Sequence, residues 1–303
     1  MEDEKIFLSR IIVEITNRCN LRCIMCGNWQ NREKIEMPVE LFKKIAQQSF
    51  PYAKEVWLSC GYEAFVAENF LEILGCLKEA PNPAIITNGT LLNRANIAKI
   101  IEIGLARIVI SFDGASKETF EMIRRGASFE KIVSNIRLIN SLKKELHSAK
   151  PEVFFTTVLM RSNIEELPAI IKLADQLEIH SMVCKFLVTD VPEMRNELLE
   201  NHNNLAEFYL NQGLELAEKL KIKIQLSPEL SKFIKAQNNE PVSEEKDKNK
   251  VAGKNRCADS LFLLSITPDG KVNPCSRWRQ EALGDFNCQS FWEIWDGQDF
   301  RFC

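Results

Sequence analysis

The sequence predicts an α/β protein, a partial (β/α)6 barrel followed by a small C-terminal domain that contains cysteines. Three observations support this fold class. Six short apolar segments alternate with helical segments over roughly the first 190 residues, a pattern typical of strands joined by helical crossovers. The segments are almost wholly apolar, as in a parallel sheet covered on both faces. Six such units in this length favour an open barrel over a closed eight-unit barrel.

The elements of the barrel follow in order along the chain. Strands are predicted at residues 10–15, 55–59, 84–87, 107–112, 153–159 and 181–188. Helices are predicted at residues 65–79, 94–103, 129–146 and 164–177, and another begins at Pro38, because proline suits the first helical turn. A polar, cysteine-rich loop at residues 16–35 separates the first strand from that helix.

The pattern changes after residue 190. A helical stretch at 194–220 and an alternating strand at 221–226 precede a polar, charged segment at 237–256, which we interpret as a linker. A hairpin around Pro268-Asp269-Gly270 and a short helix at 291–295 follow. We therefore divide the chain into a barrel at residues 1–190, a connecting region at 191–256 and a C-terminal domain at 257–303.

Composition excludes several classes of function. The chain has 303 residues, 45% of them hydrophobic and 27% charged, with a net charge of −3. A basic surface for nucleic acid or anionic membranes is not expected, and no segment approaches the run of about 18 apolar residues needed to span a membrane. The acidic N-terminus lacks a signal sequence, so we expect a cytoplasmic protein whose ten cysteines remain thiols.

The strongest functional signal is a three-cysteine loop directly after the first strand. Cys19, Cys23 and Cys26 form a C-x3-C-x2-C pattern. Three thiolates on one short loop can hold an iron–sulfur cluster and leave one iron open to another ligand. A structural zinc site would need a fourth ligand, and no histidine is nearby in the sequence. Chance core cysteines are the other alternative, but the loop is polar.

This pattern resembles the defining motif of the radical S-adenosylmethionine (SAM) superfamily. The resemblance implies that Cys19, Cys23 and Cys26 bind a 4Fe–4S cluster whose fourth iron chelates S-adenosylmethionine. It further implies that one electron, from an external donor such as flavodoxin or ferredoxin, cleaves S-adenosylmethionine to a 5′-deoxyadenosyl radical. That radical takes a hydrogen atom from the substrate. The family usually has an aromatic residue before the third cysteine, where this chain has Met25.

The loops after the next strands extend the resemblance. Gly61 and Glu63 resemble part of the Gly-Gly-Glu-Pro motif, which implies that Glu63 binds the methionine amino group. A surface glutamate in a turn is the alternative. Asn88 belongs to a Thr-Asn-Gly turn like that of the family.

The loop after the fourth strand continues the same resemblance. Ser111 lies in a segment similar to Ser-Ile-Asp-Gly and is expected to bind the ribose or methionine part. Arg124 is expected to pair with the methionine carboxylate, with Arg125 as a rival, whereas Asp113 is expected to shape the turn.

The C-terminal cysteines resemble the extension called SPASM, or its shorter relative called twitch, which holds auxiliary iron–sulfur clusters. The resemblance implies one auxiliary 4Fe–4S cluster with Cys257, Cys275 and Cys303 as ligands, and Cys288 as a weaker candidate. A zinc site on these cysteines is the rival. A full SPASM extension has seven cysteines, so this one is either a one-cluster version or cut short near Cys303.

Together these features predict a radical SAM enzyme, and we expect a peptide-modifying maturase. A radical dehydrogenase or mutase of small sugars or aminocyclitols is one alternative. A non-catalytic iron–sulfur or zinc scaffold is another. The expected partners are a peptide or small-molecule substrate and the electron donor, without nucleic acid or membrane.

Overall fold

The computed structural model describes residues 8–28, 33–189, 191–234, 262–276, 278 and 280–297. Ten strands form one sheet: β1 (Arg10–Val13), β2 (Val56–Leu58), β3 (Ala84–Thr87), β4 (Arg107–Ser111), β5 (Glu152–Leu159), β6 (Ser181–Phe186), β7 (Lys223–Leu226), β8 (Leu263–Ile266), β9 (Lys271–Asn273) and β10 (Gly284–Asp285). The helices are α1 (Val39–Ser49), α2 (Phe70–Cys76), α3 (Arg94–Glu102), α4 (Lys117–Ile123), α5 (Phe129–Glu145), α6 (Leu167–Gln176), α7 (Asn203–Leu220) and α8 (Phe291–Trp295).

The strand order confirms the predicted parallel α/β fold and adds strands at both edges of the six-stranded sheet. The order is β10-β9-β8-β1-β2-β3-β4-β5-β6-β7, and every pair from β8 to β7 is parallel. β7 extends the six predicted strands at one edge. β8 extends them at the other, with Arg10 opposite Leu263. β9 and β10 add an antiparallel hairpin beyond β8.

Alternation along the strands separates an apolar outer face from a lumen. On β1, Ile11 and Val13 are fully buried in the core, whereas Arg10 and Ile12 line an internal cavity. β4 repeats the pattern, because its two buried isoleucines alternate with Arg107 and Val109 at the cavity. Successive side chains of a strand point to opposite faces, so the lumen receives Arg10, Arg107 and Lys185 together with apolar side chains such as Ile12 and Val109.

Some predicted helices differ from the structure. The stretch at 194–220 is broken into 3-10 segments at Pro192–Glu197 and Leu199–Asn201, and α7 begins only at Asn203, because Leu198 has an extended backbone. The helix expected from residue 65 likewise begins as a 3-10 turn at Ala64–Val66, before α2. α4 was not predicted. The linker at 237–256 lies outside the described residues, and the domain boundaries at 190 and 256 stay predictions.

In the described part of the chain, no helix is both long enough and apolar enough to cross a membrane.

Candidate active site

The three-cysteine loop lies at the C-terminal end of β1 and is fixed to the end of α4. The amide of Arg22 donates to the carbonyl of Arg125 over 2.9 Å, and the amide of Ile24 donates to that of Ile123 over 3.0 Å. These backbone hydrogen bonds fall on both sides of Cys23, so the segment after α4 sets the path of the loop around that thiol. Cys23 is buried, while Cys19 and Cys26 are partly exposed.

Nitrogen donors surround the first two sulfurs. The Leu21 amide lies 3.5 Å from Cys19 Sγ, and Asn88 Nδ2 lies 3.9 Å from the same atom. Arg124 Nη1 lies 3.9 Å from Cys23 Sγ. Burial raises the pKa of Cys23 to about 11, and the charge of Arg124 opposes that rise while Cys19 and Cys26 add to it. Such donors favour thiolates that are bound to a positive metal centre.

The donor set fits an iron–sulfur cluster better than a single ion. Within the described residues, no three His, Cys, Asp or Glu side chains are grouped closely enough to hold one metal ion. Yet the thiols of Cys19 and Cys26 both raise the pKa of Cys23, so they lie near that residue. Three soft sulfur ligands on one loop suit an iron–sulfur cluster.

Arg124 is held by a buried ion pair that the sequence analysis did not anticipate. Its Nη2 lies 2.6 Å from Asp113 Oδ2, and the two side chains are 9% and 0% exposed. Asp113 also accepts a 2.8 Å hydrogen bond from the Val158 amide. Asp113 therefore orients Arg124 against Cys23 instead of only shaping a turn. Its rival Arg125 is exposed, which favours Arg124 as the site residue.

Glu63 is buried at the same end of the sheet. Its carboxylate accepts hydrogen bonds from Thr87 Oγ1 over 2.8 Å and from the Asn88 amide over 2.7 Å. Burial raises the pKa of Glu63 to about 7 against these hydrogen bonds. It is not the surface glutamate of the alternative interpretation. A carboxylate this poorly solvated would gain from an added cation, such as an ammonium group.

Glu14 is a site residue that the sequence analysis missed. Its Oε1 accepts hydrogen bonds from the amides of Cys60, over 2.7 Å, and of Gly61, over 2.8 Å. Asn28, beside the three-cysteine loop, donates to the Gly61 carbonyl over 2.8 Å. Gly61 is thus clamped between β1 and the cysteine loop. The sequence signal that could have identified Glu14 is a single glutamate within an otherwise apolar predicted strand, at a position that alternation places on the lumen side.

One cavity of about 1050 Å³ connects this end of the barrel to the other. Cys26 and Gly61 line it near the C-terminal ends of the strands, and Arg10, Trp57 and Arg107 line it near the N-terminal ends. Ser111, on the lumen-facing side of β4, is partly buried. Ligand pockets commonly have volumes of about 300–1,000 Å³, so this lumen can hold S-adenosylmethionine together with a substrate.

Two of the C-terminal cysteines lie within the described residues. Cys257 and Cys303 lie outside the described residues. Cys275 is partly buried just beyond β9, which runs back toward the N-terminal ends of the barrel strands, and the adjacent Ser276 lines the lumen. Cys288 is exposed beyond the end of β10, which runs antiparallel to β9, so the two described cysteines follow opposite ends of this strand pair.

Two cysteines outside these groups, Cys184 and Cys76, differ in burial. Cys184 is fully buried. Cys76 is partly exposed on α2, packs against the core and directs its Sγ to the Glu72 carbonyl at 3.5 Å.

Comparisons with known proteins agree with this geometry. A model of the radical SAM superfamily matches residues 13–174, just over half of the chain. A model of SPASM, an iron–sulfur cluster-binding domain, matches residues 257–302. The predicted cofactors are thereby confirmed as a 4Fe–4S cluster and S-adenosylmethionine, with iron–sulfur binding in the C-terminal domain.

Three similar proteins illustrate the range of relatives. The tungsten-containing aldehyde ferredoxin oxidoreductase cofactor-modifying protein of Pyrococcus furiosus is 28% identical over 198 residues, which cover 62% of this chain and 54% of that protein. Fe-coproporphyrin III synthase of Methanosarcina barkeri is 25% identical over 306 residues, covering 94% and 73%. SuiB of Streptococcus suis bound to S-adenosylmethionine has a TM-score of 0.75 at 13% identity, covering 97% and 67%.

The chain thus spans about half of the first relative and most of the second, and it shares the fold of SuiB. The match to the superfamily model begins on β1, includes all three cysteines of the loop and ends in α6. The chain belongs to the radical SAM superfamily.

Proposed function

We propose that this enzyme reductively cleaves S-adenosylmethionine at the C-terminal end of the lumen and uses the product to take a hydrogen atom from a substrate inside it. The observation that carries this proposal is that the three-cysteine loop, Glu63 and Arg124 lie together at the C-terminal ends of the strands, where Cys26 and Gly61 line one end of a cavity of about 1050 Å³. When bound, the 4Fe–4S cluster would supply the electron for this cleavage.

The chain's own residues hold and orient the reactants. Cys19, Cys23 and Cys26 would hold the cluster. Glu63, whose buried carboxylate lacks solvation, would bind the methionine ammonium group, and the clamped backbone of Gly61 would lie alongside it. Asn88 links these parts, because its amide donates to Glu63 while its side chain reaches Cys19.

Arg124 and Ser111 complete the proposed site. Arg124 directs Nη2 to the Asp113 carboxylate and Nη1 to the sulfur of Cys23, so it would place its charge between the cluster and the methionine carboxylate. Ser111, the last residue of β4, lies on its lumen-facing side and would bind the ribose or methionine part.

The C-terminal domain would hold one auxiliary 4Fe–4S cluster, with Cys257, Cys275 and Cys303 as ligands. Support comes from the SPASM match and from the position of Cys275 at the end of the lumen opposite the three-cysteine loop. When bound, that cluster would supply an electron acceptor or an open iron for the substrate.

We propose a peptide as the substrate, which would make the enzyme a peptide-modifying maturase. SuiB shares this fold, with a TM-score of 0.73 and 14% identity for the structure bound to its precursor peptide SuiA. The lumen has residues from both ends of the barrel strands in its lining and a volume of about 1050 Å³, so it could accept an extended chain. An external flavodoxin or ferredoxin would supply the electron. The ten cysteines, as thiols, suit the cytoplasm.

A second candidate is a small molecule that carries carboxylates, such as a tetrapyrrole. Fe-coproporphyrin III synthase aligns with 94% of this chain. Three cationic side chains, Arg10, Arg107 and Lys185, line the lumen and favour an anionic guest.

Release of 5′-deoxyadenosine from S-adenosylmethionine tests the proposed function. The protein is reconstituted with iron and sulfide without oxygen, reduced, and assayed for 5′-deoxyadenosine. The reduced wild type should release it, whereas Cys23→Ala should not. Cys76→Ala is the matched control, because Cys76 lies on α2 away from the loop. A fully loaded wild-type protein that releases none would favour a non-catalytic scaffold.

A further inference from the structure

A cluster of two arginines, one tryptophan and one glutamate lies at the N-terminal end of the lumen. Arg10 donates from Nε and Nη2 to Glu55 Oε2, each over 3.2 Å, and Trp57 Nε1 donates to the same oxygen over 2.8 Å. Arg107 Nη2 pairs with the other oxygen, Oε1. Strands β1, β2 and β4 thus each contribute one cavity-lining member, and Glu55 joins them from the residue before β2.

The tryptophan holds both guanidinium groups in place. Arg10 Cζ lies 4.3 Å from the centre of the Trp57 ring, and Arg107 Cζ lies 5.6 Å from it. Cation–π contacts of this length are attractive and restrict where the cations can move. Both arginines are therefore positioned before any ligand arrives, which lowers the entropic cost of binding.

The cluster has an excess positive charge. Among the residues that the structure describes, Glu55 is the one carboxylate within ion-pair distance of either arginine. Burial alone would raise the pKa of Glu55, but the hydrogen bonds from Arg107 and Trp57 outweigh it and lower the pKa. Glu55 therefore stays ionised, and two cations share one anion. The side chains of Arg10 and Arg107 remain 38% and 26% exposed, at the cavity.

Two guanidinium groups offer more donors than one carboxylate can accept. Each guanidinium has five N–H groups arranged as a planar fork, which matches a carboxylate. Arg10 uses two nitrogens on Glu55, and Arg107 uses one. A second carboxylate, supplied by a guest in the lumen, would balance the charge and occupy the remaining donors.

The position of the cluster fits a long guest. Arg107 lies four residues before Ser111 and six before Asp113, which corresponds to about 13–20 Å along the strand. A substrate whose carboxylate binds at this cluster would therefore reach the three-cysteine loop only with a distant part of its structure. An extended peptide of several residues and a tetrapyrrole with carboxylate side chains both have that reach.

We propose that Arg10 and Arg107 form a carboxylate-binding site that holds an acidic group of the substrate at the end of the lumen opposite the three-cysteine loop. This inference rests on the proposed function, which it deepens by assigning the substrate class. The carboxylate can come from a peptide side chain or from a tetrapyrrole.

Binding of matched acid and neutral probes to the reconstituted full chain tests the site. One pair is coproporphyrin III and its tetramethyl ester, followed by porphyrin fluorescence. The other pair is an acetylated and amidated tetraglutamate and the corresponding tetraglutamine, followed by competition. Each pair differs only in its carboxylates, so the difference in affinity isolates the contribution of negative charge.

The variants are Arg107→Gln and Arg10→Gln, with Arg94→Gln as the control. Arg94 is also paired with a glutamate, Glu145, but on the exposed surface of α3, so its loss changes the net charge equally without touching the lumen. We expect each lumen variant to weaken binding of at least one acid probe about tenfold or more, and Arg94→Gln to leave it unchanged. If Arg107→Gln lowers the thermal midpoint sharply, Arg107→Lys is tested in its place. Lysine keeps the positive charge but lacks the planar guanidinium group that can bind a carboxylate through two nitrogens.

Each outcome has a defined meaning. Tighter binding of coproporphyrin than of tetraglutamate would assign the carboxylate to a tetrapyrrole, and the reverse would assign it to a peptide. Acid probes that bind the wild type no better than their neutral partners, or lumen variants that bind like the wild type, would overturn the proposal. Arginine-dependent binding without release of 5′-deoxyadenosine would support the site while the proposed function fails.

Discussion

Replacing Arg124 with glutamine tests whether the buried ion pair supports the three-cysteine loop. Arg124 lies 2.6 Å from Asp113 and 3.9 Å from the sulfur of Cys23, and both members of the pair are almost fully buried. Arg124→Gln would leave the charge of Asp113 buried without its partner. Breaking a buried pair in this way costs about 3–5 kcal/mol of folding free energy.

That loss should be visible as a lower thermal midpoint. For a chain of this size each kcal/mol corresponds to about 2 °C, so we expect the midpoint of Arg124→Gln to fall by about 6–10 °C. The double variant Asp113→Asn/Arg124→Gln removes both charges and leaves a neutral polar pair. It should recover most of the loss, because the unpaired charge, rather than the missing contact, causes most of the cost.

The loss of stability in Arg124→Gln should also depend on pH. Burial raises the pKa of Asp113, and Arg124 opposes that rise, so removing Arg124 would raise the pKa further. When a carboxyl group has a higher pKa in the folded than in the unfolded state, the free energy of unfolding falls as the pH rises through the folded-state pKa. The deficit of Arg124→Gln should therefore be smallest at acidic pH and grow as the pH rises above about 4, the usual pKa of an aspartate carboxyl group.

Thermal unfolding of the anaerobically reconstituted proteins measures these differences. Arg125→Gln is the matched control, because Arg125 is the exposed neighbour of Arg124 and its substitution removes the same charge. The reasoning is refuted if Arg124→Gln unfolds within about 2 °C of Arg125→Gln, or if the double variant is no more stable than Arg124→Gln.

Three further predictions concern the bound groups. Glu63→Gln should weaken S-adenosylmethionine binding about ten- to a hundredfold in equilibrium dialysis, with the exposed Glu68→Gln as control; equal affinities would contradict the role of Glu63. Burial raises the pKa of Glu63 to about 7, so protonation should weaken the binding of S-adenosylmethionine to the wild type about tenfold per pH unit below that value. Glu63→Gln should lose this pH dependence. A wild-type affinity that does not change with pH would count against the prediction. Cys275→Ser should lower the iron content from about eight to about four atoms per chain, whereas Cys288→Ser should leave it unchanged. An unchanged iron content in Cys275→Ser would exclude Cys275 as a ligand.

The main features of the barrel and its cysteine loop could be predicted because they depend on local sequence. Short apolar strands separated by helices define parallel order, and in such a sheet the loops after the strands meet at one edge. Cys19, Glu63 and Asn88 were therefore expected near each other, and the contacts of Asn88 with both confirm that proximity.

The long-range partners could not be predicted in the same way. Asp113 follows β4 and Arg124 follows α4, and only the folded path of the intervening helix brings them within 2.6 Å. The pairing of β8 with β1 joins residues about 250 positions apart, across a polar segment without regular pattern. Neither contact is marked in the sequence by a periodic pattern or a characteristic spacing, because both depend on the packing of the complete sheet.

The distribution of charge along the lumen would orient the proposed substrate. Glu14 and Glu63 are buried at the end where the three-cysteine loop lies, and Arg10 and Arg107 line the other end. Like charges repel in a poorly solvated cavity, so the carboxylate of the proposed substrate would be favoured at the two arginines over the end that holds the glutamates once these are ionised. The other end of that substrate would then lie toward the three-cysteine loop. Arg10 begins β1 and Glu14 directly follows its last residue, so one short segment of chain reaches both ends of the lumen.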